Sequence, residues 1–312
     1  MARIVGPIRQ IAANASVETL ADWLELVALV GQSKSASIQD LVSLVRLNGT
    51  IEELLDPDDP FDRGSEEAQE TAEAAFGAIS SRLRTCGDEY PFNVTSQSIT
   101  AKESAVRSVY AFLMLLSAYG KDAAGSSNSG AKLFEEVAGT ALNTYLGGST
   151  TQSRTYQFGF PRRLLPTGFR AALDDMCAKM EEGGGSRDRP TSGQQNDAKL
   201  DIVGWIPMPD ARPGKLMIFG QCATGWNWTD KMSEMQAGPW CDHWMIDTPP
   251  VKPLRSLFVP HCIPDDWLAT SRYSGVLFDR NRIAALCANM GGALRESVAA
   301  WNSAAIESGD LP

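Results

Sequence analysis

Apolar positions recur at helical spacing through the first 120 residues and then give way to short alternating runs. Val17, Leu20, Leu24 and Val27 form one stripe, which predicts an amphipathic helix from Ser16 to Val30 that stops at Gly31. Ser37 with Asp40 makes a capping box for a second helix through Leu47, closed by Asn48 and Gly49, with a brief continuation from Ile51 to Leu55. The run DPDDPFDRG at 56–64 reads as a loop by composition. An Ala- and Glu-rich helix follows from Ser65 to Arg84, its acidic first turn suited to the helix dipole. Pro91 to Ser98 reads as extended. Thr100 with Glu103 repeats the capping box ahead of Ala105 to Tyr119, whose near lack of polar positions predicts a buried helix.

Small residues dominate 121–130, KDAAGSSNSG, which marks the expected domain boundary. A helix over 131–146, a strand from Thr155 to Phe160 and a helix from Thr167 to Glu182 come next. Residues 183–196 are rich in Gly, Ser and Gln and read as a surface loop placed to cover or contact a site. Leu200 to Ile206 alternates as a strand, and Lys215 to Cys222 is a second, mostly apolar one. Between them, Pro207, Pro209, Asp210, Pro213 and Gly214 make the reversal. Gly225 breaks the second strand, and Asn227 or Thr229 caps a helix carrying Lys231. Strands at Arg255 to Pro260 and Gly275 to Phe278 enclose a short helix from Asp265 to Thr270. A closing helix from Asn281 to Ser303 is interrupted at Gly291 and Gly292. The pattern therefore predicts an α/β protein, with a helical N-terminal domain over 1–120 and an α/β domain over 130–312.

Two polar residues stand out against this pattern. Asp201 interrupts an apolar strand, and Gln221 nearly ends one. A carboxylate in a covered sheet is costly unless it is paired, hydrogen-bonded or bound to a metal. Neighbouring strands of a hairpin can bring Asp201 and Gln221 within reach of one ion, and oxygen ligands of this kind suit Mg²⁺ or Mn²⁺. The plainer alternative makes Asp201 a strand-end residue that accepts backbone amides, and Gln221 a turn former.

An acidic residue on one strand, a hairpin, and an acidic or Gln residue on the next, behind a helix bearing Glu135 and Glu136, resembles the PD-(D/E)xK nuclease core. The match is to its Gln-bearing variant and covers roughly residues 130–285. The resemblance implies a restriction-endonuclease-like core, with a mixed central sheet flanked by helices. It implies a metal-dependent nuclease that hydrolyses phosphodiesters in nucleic acid, with DNA ahead of RNA, in bacterial defence or restriction. Asp201, the Gln221 carbonyl and a helix Glu, with Glu136 taken ahead of Glu135, would hold Mg²⁺ or Mn²⁺. The family's lysine position, two residues beyond Gln221, is Ala223 here. Either Lys231 has taken over the role, or catalysis is lost and the chain is a nuclease-fold subunit for nucleic-acid binding or complex assembly. A Gln in place of a carboxylate weakens metal binding, which implies a need for a protein partner or activator; homo-oligomers are compatible with the reading.

Charge modifies this picture. The formal net charge is −10, awkward for a partner of phosphates. Residues 1–120 hold 9 of the 28 basic and 17 of the 38 acidic residues, so the remainder is nearly neutral, and Arg154, Arg162, Arg163, Arg170, Lys215 and Lys231 offer local basic groups. Six cysteines without CxxC spacing fit reduced thiols in a cytoplasm, and no long apolar run or leader predicts a membrane span or secretion.

Three further patterns carry less. GQCATGW at 220–226 is similar to the nucleophile run of papain-like proteases, but Gly225 stands at the nucleophile position, which leaves Cys222 as an unrelated thiol candidate. Cys241, His243, His261 and Cys262 offer zinc ligands without any finger or ribbon spacing. Trp226 and Trp228, beside Gln221, are candidate stacking platforms, though most of the eight tryptophans read as core.

Overall fold

A computed structural model of the chain describes residues 3–5, 8, 15–53, 63–125, 129–162, 166–188, 197–263 and 267–309. In chain order the elements begin with α1 (Val17–Val30), β1 (Ser35–Ser37), α2 (Ile38–Glu53), α3 (Arg63–Cys86), β2 (Phe92–Val94), β3 (Ser98–Ala101) and α4 (Val109–Tyr119). They continue with α5 (Gly130–Tyr145), β4 (Arg154–Gln157), α6 (Phe169–Met180), β5 (Ile202–Trp205), β6 (Met217–Cys222) and α7 (Ala237–Trp244). The last are β7 (Leu254–Phe258), α8 (Trp267–Ser274), β8 (Val276–Phe278), α9 (Arg280–Leu286) and α10 (Gly292–Ser308). Arg163 and the stretch 189–196 lie outside the described residues. The chain groups into two compact units: residues 1–130, 260–265 and 280–312 in one, and 131–259 and 266–279 in the other. The closing helices thus belong with the N-terminal helices, whereas the sequence places 130–312 together.

In the first unit the local signals act as their chemistry requires. Ser16 caps α1 by accepting from the Thr19 N–H at 3.2 Å. The Ser37 box closes both ways, with the Ser37 N–H on Asp40 Oδ2 at 2.7 Å and the Asp40 N–H on Ser37 Oγ at 3.3 Å. The helix it opens runs on to Glu53, through Asn48 and Gly49, where the sequence suggested a stop. The second predicted box is absent. Thr100 lies in β3, and α4 begins at Val109, capped by Ser108, which accepts from the Ala111 N–H. Every residue of α4 is buried, as its composition predicts. The unit also contains an antiparallel sheet ordered β1-β3-β2 that the helical pattern did not disclose.

At the heart of this unit lies a buried charge network. Arg280 donates to the two Asp22 oxygens at 2.7 and 2.9 Å. Arg82 reaches Asp22 at 2.8 Å and Glu25 at 2.9 Å, and also pairs with Glu18. The hydroxyls of Tyr90 and Tyr110 donate to Glu25 at 2.6 and 2.9 Å. Burial lifts the Asp22 carboxyl, but the Arg280 and Arg82 guanidinia outweigh it and hold the group below its ordinary value. Glu25 goes the other way: burial dominates and raises it despite Arg82.

The second unit is built on a mixed five-stranded sheet ordered β4-β5-β6-β7-β8. β4, β5 and β6 form an antiparallel meander, and β7 and β8 join in parallel through crossovers that carry α7 and α8. One sheet face puts Val203, Trp205, Met217 and Phe219 into a core with Leu173, Met176 and Met180 of α6 and Trp240 of α7. On the other face α5 and the residue after it pack so closely that a Cβ on Gly204 would meet Leu142 at 2.7 Å and Leu146 at 2.9 Å. Residues on the two faces alternate along β5 and β6, which is why both strands read as apolar throughout. Among the described residues no helix is long and apolar enough to cross a membrane.

Candidate active site

The entry to β5 is a tight, strained turn. Ala198 and Lys199 both have positive φ, 53° and 70°, which for non-glycine residues costs on the order of 1–3 kcal/mol each. Three hydrogen bonds hold it: Asp197 Oδ1 accepts the Lys199 N–H at 3.0 Å, Asp197 O accepts the Leu200 N–H at 3.1 Å, and Ala198 O accepts the Trp240 indole N–H at 3.1 Å. The turn delivers Asp201 just ahead of β5. Its carbonyl accepts the Phe158 and Gly159 N–H groups at 2.7 and 2.9 Å, and its Oδ2 accepts the Cys222 N–H at 2.7 Å. Asp201 therefore does serve a backbone amide, as the plainer reading has it, and one carboxylate oxygen remains.

That oxygen faces α5. A Cβ built on Gly159 would lie 3.0 Å from Asp201 Oδ1 and 2.7 Å from Glu135 Oε2, so two carboxylates from separate elements converge over a glycine. One helical turn before Glu135, Lys132 donates to Glu135 Oε2 at 2.5 Å and to the Gly159 carbonyl at 3.1 Å. Burial, with Glu135 next, pushes Asp201 up to about 7, and the Cys222 amide and Lys132 offset only part of this. Burial also raises Glu135 in spite of Lys132, with Asp197 and Glu136 adding to the rise. Such a pair attracts either a proton or a cation near neutral pH.

The other predicted site residues fall differently. Glu136, beside Glu135 on α5, is half-buried and contributes to the Glu135 shift. Gln221 is buried and donates its amide to Glu234 Oε2 at 3.1 Å, and Glu234 pairs with Lys199 at 3.3 Å. Lys231 ends a short 3₁₀ turn, Trp228–Lys231, rather than standing one turn into a helix, and its charge acts on Glu234. Among the groups acting most strongly on Asp201 the cation is Lys132. Lys132 belongs to no motif in the sequence, and its spacing of three from Glu135 is the one signal it carries there. Ala223 is buried and gives its N–H to the Phe258 carbonyl at 2.9 Å.

The remaining candidates lose ground. Burial, and then Asp201 and Glu135, lift the Cys222 thiol well above its usual value, which denies it thiolate character at neutral pH. Cys241 and His243 belong to the sheet unit and His261 and Cys262 to the helical one, and His261 Nδ1 shares a hydrogen bond with Ser117 Oγ at 2.8 Å. No cluster of three or more His, Cys, Asp or Glu side chains poised on one ion occurs among the described residues. Trp228 is buried, whereas Trp226 is half-buried. A cleft of about 830 Å³ between α6 and the 247–250 segment includes neither Asp201 nor Glu135. Two of its acids are engaged, Asp174 by the Ser186 N–H at 2.6 Å and Glu182 by the Gly214 N–H at 3.1 Å.

No protein-family model matches the chain, and no curated protein or solved structure matches it significantly.

Proposed function

We propose that the sheet unit is a metal-dependent nuclease that hydrolyses phosphodiester bonds of nucleic acid, with DNA as the first substrate to test. The observation that carries this reading is the convergence of Glu135 and Asp201 over Gly159. The order of elements supports it: a helix bearing Glu135, an antiparallel meander whose second strand follows Asp201, then a helical crossover to a parallel strand.

The donor chemistry fits Mg²⁺ or Mn²⁺. Both side chains offer hard oxygens, and Mg²⁺ is commonly held by one or two carboxylates, with waters and substrate phosphate completing its shell. Glu135 and Asp201 would hold the ion, with Glu136, next to Glu135 on α5, and the Gln221 carbonyl, next to Cys222 at the end of β6, as further candidate oxygens. When bound, such an ion lowers the pKa of water and neutralises charge at phosphorus. The chain's own contribution is positional. The strained turn and the Cys222 amide fix one Asp201 oxygen so that the other faces Glu135.

A second reading, a nuclease-fold subunit that binds nucleic acid without cleaving it, is favoured by the buried Ala223 and by the hydrogen bond that engages Gln221 with Glu234. Incubation with plasmid, linear and single-stranded DNA and with RNA, in Mn²⁺ or Mg²⁺ and with chelator, separates the two. Cleavage that needs metal and disappears in Asp201→Asn and Glu135→Gln is expected. Binding without cleavage in every arm would establish the second reading instead.

A further inference from the structure

We propose that Lys132 is the cation that meets the scissile phosphate in this site, the role for which Ala223 offers no charge; the inference rests on the nuclease reading above. A lysine with 7% of its side chain exposed needs a reason to be buried. Pairing with Glu135 supplies part of one, and an ammonium has three donors. Two are used, on Glu135 Oε2 at 2.5 Å and the Gly159 carbonyl at 3.1 Å. The third has no protein partner among the described residues, and the ammonium stands beside the point where the Glu135 and Asp201 oxygens converge.

The competing cations are engaged elsewhere. Lys199 pairs with Glu234, on which the charge of Lys231 also acts. Arg162 lies over the Phe158 ring at 4.6 Å and donates to the Thr167 carbonyl at 3.0 Å. Developing charge on phosphate oxygens needs a fixed positive group in a dry setting. Lys215 is buried too, but its ammonium donates to the Glu181 and Arg212 carbonyls, and Lys132 is the buried cation bonded to Glu135. Its position on α5, three residues before a carboxylate, keeps the pair on one helix face as the substrate enters.

The test compares Lys132→Met and Lys132→Gln with the unaltered chain. Gln retains a donor for Glu135 and so preserves the fold if Met does not. Two quantities are read: cleavage of DNA in Mn²⁺, and the salt dependence of DNA affinity in chelator, where no metal contributes. A phosphate contact predicts a loss of cleavage of about 100-fold or more. It also predicts a salt slope shallower by about 1. Cleavage within about threefold of the unaltered chain overturns the inference and leaves the nuclease reading standing. Loss of cleavage with an unchanged salt slope also overturns it, because Lys132 would then act only through Glu135. Absence of metal-dependent cleavage in the unaltered chain overturns both together.

Discussion

Cys222 and Asp201 are joined by a single hydrogen bond, the Cys222 N–H on Asp201 Oδ2 at 2.7 Å, which ties the end of β6 to the entry of β5. It leaves a partly buried carboxyl with one amide donor, too little to offset burial and the neighbouring Glu135, so the group rises to about 7.

This has a pH signature in chelator. The folded Asp201 binds its proton more tightly than the unfolded one, so its contribution favours folding at low pH. That contribution is lost as pH rises from about 4 towards about 7. Asp201→Asn accepts the same amide without the charge. The variant should gain about 2–4 kcal/mol relative to the unaltered chain between pH 4.5 and 8. Denaturant midpoints at both pH values check it, and a difference that does not move with pH would refute a raised Asp201.

The same substitution should wake the neighbouring thiol. Cys222 is the one partly exposed cysteine among six, and Asp201 stands next to burial among the causes that lift it. Alkylation of Cys222 at pH 8 should be slow in the unaltered chain and several-fold faster in Asp201→Asn. Peptide mapping by mass spectrometry reads both rates; equal rates would contradict the coupling.

Lys231→Met should leave metal-dependent cleavage within about threefold, because its charge acts on Glu234. A large loss would return the catalytic role to Lys231 and count against Lys132.

In the helical unit, Arg280→Met leaves the buried Asp22 and Glu25 to share Arg82 alone and should cost about 3–5 kcal/mol. Pairing it with Asp22→Asn should cost less than the sum of the two single changes, since the partners are lost together. Urea denaturation of the four proteins measures the coupling, and strict additivity would show that the pair is not coupled in solution.

Gly204→Ala should destabilise the protein by about 1–3 kcal/mol, because the added methyl meets Leu142 Cγ of α5 and Leu146 Cδ1 just after it below 3.0 Å. A thermal midpoint equal to that of the unaltered chain would mean α5 gives way without cost.

What could be read from the sequence was local. The Gly31 stop of α1, the Ser37–Asp40 box, the β5–β6 reversal and the break at Gly291 and Gly292 each depend on residues within a few positions of one another. The second box failed because Thr100 pairs with Ser35 and Asn93 in a sheet, a long-range choice that overrides a helix-start pattern. Glu135 and Glu136 are adjacent on a helix and point about 100° apart. Only the face that α5 turns to Gly159 distinguishes them, and the same face identifies Lys132. Gln221 reads as a ligand from its place on the hairpin, yet the partner that engages its amide, Glu234, comes from beyond the following turn.

The chain leaves the helical unit at Gly130, re-enters it over 260–265 and stays in it from Arg280 onwards. During synthesis Asp22, Glu25 and Arg82 therefore emerge long before the second guanidinium that balances them. A nascent chain of 1–130 carries two buried carboxylates with one arginine between them, while the sheet unit up to Asp279 is already complete. The N-terminal helices therefore reach their final charge balance only after the ribosome has delivered Arg280.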